Sequence, residues 1–289
     1  MNQVNLLPCL DSEQMAASRQ LELDIRRDVA TRLGITAVEA SLAGYYVTRD
    51  GQKVVWRDAV QAACAAKVSL PPDAALPAHG QTFAQTSIQV SNETTLGAAR
   101  RMVDDGLRPL ALNFASGLHP GGGFLKGARA QEEGLCRSSA LYLTLVGNPM
   151  YEFHRERPLP DSSDWSIYSP DVPVFRTDHG AELSTPWPLS FITCAAPYAP
   201  VVGQPKSGAL LQSRIDRVLG VASAYGYSSL VLGAWGCGAF ANDPCRTAQD
   251  FREALFTKYR GAFSNIVFAI TDWSPERRFL GPFRDTFAS

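Results

Sequence analysis

The sequence predicts an α/β fold, a mostly parallel mixed sheet in a three-layer α/β/α arrangement, preceded by a mainly helical N-terminal extension. Three observations carry this. Beyond residue 80, short apolar runs without polar alternation recur at 109–115 (PLALNFA), 189–196 (LSFITCAA), 228–235 (SSLVLGAW) and 265–270 (NIVFAI), as expected of strands buried on both faces. Stretches of helical periodicity separate these runs, the order of a sheet built by crossover connections. The first 80 residues lack that alternation, so we divide the chain into an N-terminal accessory segment (1–80) and a main domain (81–289).

Taken in order, residues 12–33 read as one helix, because Met15, Leu21, Leu23, Ile25, Val29 and Leu33 recur at roughly helical intervals. A second helix is expected over 37–43. YYVTRDGQKVVW then alternates around Asp50-Gly51, a hairpin signal. Residues 57–67 have the spacing of a short helix, and the proline-broken VSLPPDAALPAHG closes the segment. SIQV (87–90) opens the sheet, and Asn92 is placed to cap the helix that ends at Gly106. PLALNFA leads through a long loop to a helix over about 130–145. Residues 151–188, rich in proline and aspartate, are expected to extend the edge of the sheet through short strands at WSIY and VPVFR. LSFITCAA, a helix over 209–226, SSLVLGAW, a helix over 245–261, NIVFAI and a terminal helix from Pro275 complete the chain. Ligands of such sheets bind outside the carboxyl ends of the strands. Here that condition selects 116–133, 233–243 and 271–273.

Twenty-seven basic against 28 acidic residues leave a net charge of −1, which gives no overall attraction to nucleic acid or membrane surface. The six cysteines are scattered, without the short spacing of a zinc or redox pair, and predict a reducing, cytoplasmic compartment. Neither a signal peptide nor a membrane span is expected.

The chemistry concentrates in Asn113–Arg137, NFASGLHPGGGFLKGARAQEEGLCR. Gly121, Gly122 and Gly123 follow a buried strand, and nine residues after the last of them come Glu132 and Glu133 in the first turn of a helix. Three glycines cost backbone entropy, and free N–H groups at a helix mouth can hold a phosphate. The spacing matches neither the dinucleotide fingerprint nor a nucleotide-hydrolase loop. Acidic residues are also favoured in a first helical turn by the dipole alone. If both glutamates reach substrate, they divide the work, because neighbours on a helix point roughly 100° apart. They therefore cannot oppose each other across a sugar as the paired carboxylates of ordinary glycosidases do. A second glycine-rich loop, Gly236, Cys237, Gly238, Ala239 and Phe240, follows SSLVLGAW. Its glycines let backbone approach a phosphate, and Phe240 offers a face to a ribose or base. Cys237 has no histidine near it in sequence and is not expected to be a nucleophile. His119 is expected to shape its loop, and Asn242 and Asp243 to turn the chain into the next helix.

These residues resemble the signature of bacterial-type poly(ADP-ribose) glycohydrolases, in which a GGG triplet precedes QEE, and GAWGCGAF resembles their diphosphate loop. The likeness covers roughly 80–285, with a looser likeness before it. It implies a macrodomain-like catalytic fold and hydrolysis of the ribose–ribose bond of poly(ADP-ribose), mainly from chain ends. Glu133 would then be the general acid, Glu132 would hold ribose hydroxyls, Gln131 would help orient the carboxylates, and Asn113 would belong to the substrate-binding set. Gly121–Gly123 and Gly236–Phe240 would hold the diphosphate. The adenine would lie near Asn92, Glu93 and Thr94 on one side and Thr271 and Asp272 on the other. Expected partners are poly(ADP-ribose), ADP-ribosylated proteins and the product ADP-ribose, with no cofactor, no metal, no DNA and a monomeric state. A mono-ADP-ribosyl-protein or ester hydrolase and a non-catalytic ADP-ribose reader are the alternatives on the same scaffold.

Overall fold

The computed structural model describes residues 2–77 and 82–288; the boundary expected near residue 80 lies outside them. Its centre is an eight-stranded sheet, built from β1 (Gln3–Leu6), β4 (Val68–Leu70), β5 (Gln85–Ser91), β6 (Pro109–Ala115), β7 (Ser166–Arg176), β8 (Glu182–Ala195), β9 (Ser229–Leu232) and β10 (Asn265–Ala269). The strand order is β1-β5-β10-β9-β6-β8-β7-β4. Pairings from β1 to β8 are parallel, whereas β7 runs antiparallel to β8 and to β4. The N-terminal segment therefore supplies both edge strands, β1 and β4, which the hydrophobic pattern does not announce because edge strands are short and half-exposed. A separate hairpin, β2 (Tyr45–Val47) and β3 (Lys53–Val55), forms where Asp50-Gly51 predicts it.

Helices cover both faces. On one lie α2 (Arg27–Ala43), α3 (Arg57–Ala66), α4 (Thr95–Asp104), α5 (Gln131–Ser138) and α6 (Leu141–Leu145), and on the other α9 (Lys206–Ala224), α10 (Pro244–Phe256) and α11 (Leu280–Thr286). Period-two alternation divides each central strand between the two cores. Leu110 and Leu112 pack with Ile215, Phe251 and Phe268, while Ala111 faces Leu96, Leu135 and Phe124. Each fully buried large apolar side chain contributes about 1.5–3 kcal/mol. Asn113, next on the α5 face, is polar and wholly buried, and the strand ends there on chemistry instead of packing.

Several expected elements are divided or shifted. The helix expected over 12–33 breaks at residues 24–26 into α1 (Glu13–Leu23) and α2, and at the break Arg129 takes the carboxylate of Asp24 at 3.1 Å and the carbonyl of Ile25 at 2.8 Å. α2 then runs on through 37–43 as one helix. The helix over 130–145 is split between α5 and α6, where the Ala140 amide donates to Pro173 and Ser139 bridges to Val174. WSIY and VPVFR are one strand, β7, with an irregularity between Ser169 and Val172, where Asp171 has φ 48°. Within 151–188 the chain also completes α7 (Pro149–Arg155), capped by the Asn148 side chain with proline in its first turn. The terminal helix starts at Leu280, because Asp272 holds the intervening loop by accepting from the amides of Ser274, Phe279 and Leu280. Thr94, not Asn92, caps α4, accepting from the Gly97 amide at 2.9 Å.

Candidate active site

The carboxyl ends of β5, β6, β9 and β10 open onto a cleft of about 630 Å³. The three stretches selected from the sequence converge there. α5 supplies Gln131, Glu132 and Glu133, the loop after β9 supplies Gly236, Gly238, Ala239 and Phe240, and the end of β10 supplies Thr271.

The carboxylate pair is assembled from the end of β6 and the glycine triplet. Glu132 is 3% exposed and Glu133 8%. Glu132 accepts from the Ser116 amide at 2.7 Å through Oε2 and from Asn113 Nδ2 at 3.3 Å through Oε1. Glu133 accepts from the Gly123 amide at 2.9 Å through Oε1, while its Oε2 is buried with no hydrogen-bond partner. Burial pushes the carboxyl of Glu132 up from 4.5 to about 8, against its hydrogen bond from Ser116 and with the charge of Glu133 adding to the rise.

Gln131 explains the register of this helix start. β9 pairs with β6 only as far as Ala111, which frees one edge of β6 beyond that point. The Gln131 side chain takes the place of the missing strand. Its Oε1 accepts from the Phe114 amide at 2.9 Å, and its Nε2 donates to the Leu112 carbonyl at 2.8 Å and to Thr95 at 3.0 Å. A side-chain amide is the group that can give and accept in this way.

The glycine triplet faces the carboxylates more than the open cleft. Gly122 has φ 61°, and a Cβ there would stand 3.0 Å from Glu132 Oε2 and closer still to Glu133 Oε1. Its amide donates to the His119 carbonyl at 3.0 Å, closing the turn in which His119 sits as expected. Gly121 has φ 71° and packs against Phe124 and Cys136. None of the three glycines lines the cleft wall.

In the second loop Gly236 (φ 74°) approaches Ala196 and Asn242 too closely for a side chain. Phe240 stands edge-on to Tyr198 with centroids 5.9 Å apart and forms one wall. Cys237 turns away, its thiol against the Trp235 carbonyl at 3.5 Å, and burial raises it to about 12. Asn242 donates to the carbonyls of Pro197 and Gly236, and Asp243 caps α10.

At the far side Glu93, Thr94 and Thr271 line the cleft. Asn92 and Asp272 do not, because they hold each other. Asn92 Nδ2 donates to the Asp272 carbonyl at 2.6 Å and to Asp11 at 2.9 Å, and its Oδ1 accepts from the Asp272 amide at 3.1 Å. The Asp272 carboxylate in turn fixes the segment bearing Trp273 and Phe279, two aromatic residues of the cleft wall.

Sequence reasoning reached Trp273 only as part of the stretch 271–273, and it missed Phe279, which follows a strand without a glycine signature, and Gln20, Leu23 and Asp24 at the end of α1. It also missed Arg137, which is one helical turn after Glu133 and donates to the Ala128 carbonyl at 2.6 Å. Asp178, from the β7–β8 turn, accepts from Thr94 at 2.7 Å, and burial raises it to about 6. A charged residue in a turn reads as solvated surface until the chain is folded.

Residues 36–177 match the family model described as microbial-type PARG, catalytic domain, a span that contains the glycine triplet and both glutamates. A poly(ADP-ribose) glycohydrolase structure from Thermomonospora curvata is 38% identical, with a TM-score of 0.83 over 89% of this chain and 98% of that one. This chain belongs to the microbial poly(ADP-ribose) glycohydrolase family. The T. curvata enzyme bound to the inhibitor ADP-HPD superposes with a TM-score of 0.82 at 38% identity, again over 89% and 98% of the two chains. The enzyme from Deinococcus radiodurans in complex with ADP-ribose is 42% identical, with a TM-score of 0.74 over 79% of this chain and 96% of that one. No curated protein matches. The family's macrodomain-like architecture accounts for the mixed sheet and the convergence of its loops. The family match begins inside α2, so the likeness reaches into the N-terminal segment.

Proposed function

We infer that this chain hydrolyses the ribose–ribose O-glycosidic bond of poly(ADP-ribose) and releases ADP-ribose. The observation that carries this reading is the buried Glu132–Glu133 pair in the cleft wall of a glycohydrolase-family chain, one glutamate fully bound by donors and the other with a free oxygen. A protein that only bound an anionic ligand would gain nothing from two buried carboxylates beside it.

The pair holds one proton more readily than two isolated glutamates would, because burial and mutual repulsion both oppose double ionisation. Burial outweighs the N–H donors on the two oxygens of Glu132 and leaves its carboxyl raised to about 8. Glu133 Oε2, the one oxygen of the pair without a hydrogen-bond partner, is the atom left free to work on the leaving group. In the reaction Glu133 gives a proton to the departing 2′ oxygen as the bond to the anomeric carbon breaks. Glu132, seated by Asn113 and the Ser116 amide, holds ribose hydroxyls beside the oxocarbenium-like centre. Water then attacks the anomeric carbon, and its proton returns to Glu133. Gln131 and Asn113 keep the carboxylates in register. The Gly236–Phe240 loop, with Cys237 and Ala239 contributing backbone, takes the diphosphate, next to the Gly121–Gly123 turn. The adenine end lies between Glu93–Thr94 and Thr271, with Trp273 and Phe279 as walls. Attack from chain ends, a monomeric state and turnover without added metal belong to this proposal. Among the described residues no group of three or more His, Cys, Asp or Glu side chains is placed to hold a metal ion.

The test is product analysis with purified polymer and with singly ADP-ribosylated protein, comparing the parent with Glu133→Gln and Glu132→Gln, in chelator. Free ADP-ribose from polymer is expected from the parent. Near-complete loss is expected in Glu133→Gln with ADP-ribose binding intact. Retained turnover in that variant overturns the acid assignment, and release from singly modified protein alone favours a mono-ADP-ribosyl hydrolase.

A further inference from the structure

The loop after β6 carries the Ser116 amide that holds Glu132, and its own anchor lies outside the cleft, at the end of α7. Two consecutive side chains of that helix reach two consecutive carbonyls of the loop. His154 Nδ1 lies 3.2 Å from the Gly117 oxygen, and Arg155 Nη1 donates to the Leu118 oxygen at 2.9 Å. The tautomer follows from the other ring nitrogen. The Ser163 backbone amide, which can only donate, reaches His154 Nε2 at 3.1 Å, so Nε2 accepts and the ring proton sits on Nδ1. That proton is donated to Gly117. Burial holds the ring neutral by pushing it down to about 4, against the bond to Gly117, and the guanidinium groups of Arg214 and Arg157 add to the effect. The seat is tight. A Cβ at Gly117 would collide with Ser162 Oγ and stand 3.2 Å from His154 Nδ1.

We propose that His154 is a positioning residue for the glycohydrolase reaction, holding the Gly117 carbonyl so that the adjacent Ser116 amide stays aimed at Oε2 of Glu132. The inference rests on the functional reading above. The chain of contacts runs from the Ser163 amide to His154, from His154 to Gly117, and from Ser116 to Glu132. His154 touches no cleft surface, so its loss acts through the geometry of the carboxylate pair. A positioning error of this kind lowers the rate of the chemical step more than substrate affinity.

Two isosteres separate positioning from general stability. In His154→Asn the amide nitrogen occupies the place of Nδ1 and still donates to Gly117. In His154→Gln the amide group occupies the place of Nε2, and the donor to Gly117 is lost. Steady-state kinetics on poly(ADP-ribose), with melting temperature and ADP-ribose affinity measured in parallel, read the difference. The expectation is a kcat within about threefold of the parent for Asn and at least about tenfold lower for Gln, with KM and ADP-ribose affinity nearly unchanged in both. Equal kcat in the two variants overturns the proposal. If His154→Gln yields no folded protein, Arg155→Met at the exposed helix end removes the neighbouring hold on Leu118. It is expected to lower kcat several-fold at constant KM, and an unchanged kcat there overturns the proposal too. A parent that releases no ADP-ribose from polymer refutes the functional reading, whereas an active parent with equivalent Asn and Gln variants refutes only the positioning role.

Discussion

Gly122→Ala separates the two reasons for a glycine triplet, room for a ligand phosphate and room for the catalytic carboxylates. The backbone at Gly122 has φ 61°, and a Cβ would lie 3.0 Å from Glu132 Oε2, 3.1 Å from Glu133 Cδ and closer still to Glu133 Oε1. Ordinary contact begins near 3.4 Å, so the Glu133 carboxylate must withdraw by about 1 Å, giving up its bond to the Gly123 amide. Displacing a reacting group by about 1 Å costs roughly 100-fold in rate. The left-handed backbone adds about 1–2 kcal/mol of strain for alanine, which lowers the melting temperature of a chain this size by roughly 2–6 °C. Gly226→Ala is the control, because Gly226 has φ 74° with nothing within 4 Å of its Cβ position. It carries the same strain without touching the cleft. The assay is ADP-ribose release from polymer under saturating conditions, with ADP-ribose binding by calorimetry and thermal unfolding for both variants. The expected pattern is similar destabilisation in the two and a rate loss confined to Gly122→Ala, with ADP-ribose still bound. If Gly122→Ala keeps more than about a third of the parent rate, or loses ADP-ribose binding instead of rate, the triplet does not seat the carboxylates as argued.

Other consequences are equally direct. Because Glu132 titrates near 8 when folded and near 4.5 otherwise, between those values the folded chain keeps a proton that the unfolded chain has released. Stability therefore falls as pH rises through that window. Glu132→Gln removes this slope, so its melting temperature should gain on that of the parent from pH 5 to pH 8, and a constant difference would contradict the burial argument. Gln131→Leu leaves the Phe114 amide and the Leu112 carbonyl without their partner. A loss of about 2–4 kcal/mol in denaturant unfolding is expected, with a fall in kcat, and a change under 1 kcal/mol would show that water replaces the amide. Asn92→Ala frees Asp11 and the Asp272 backbone. It should raise KM for polymer several-fold while kcat changes little, because the Trp273–Phe279 wall loses its anchor; a kcat effect without a KM effect would place Asn92 in the chemistry instead.

Much of the architecture was legible because buried parallel strands must be apolar on both faces, and β6, β9 and β10 appeared close to their predicted positions. Elements held by long-range partners were not. β1 and β4 are strands only because β5 and β7 pair with them. The break between α1 and α2 is where Arg129, more than 100 residues away from Asp24 and Ile25, takes hold of both. Asn92 looks like a helix cap by local spacing, yet its partners Asp11 and Asp272 come from opposite ends of the chain.

The opening motif divides the same way. The sequence alone placed three glycines and two adjacent glutamates between a buried strand and a helix, and helix geometry alone required the glutamates to have different tasks. Tertiary structure decided which task each can take, because hydrogen-bond donors come from wherever the fold brings them. Ser116 and Asn113 satisfy both oxygens of Glu132, and Gly123 satisfies only one of Glu133. The fold also turned the glycines toward those carboxylates, a close approach that local sequence could permit but not aim.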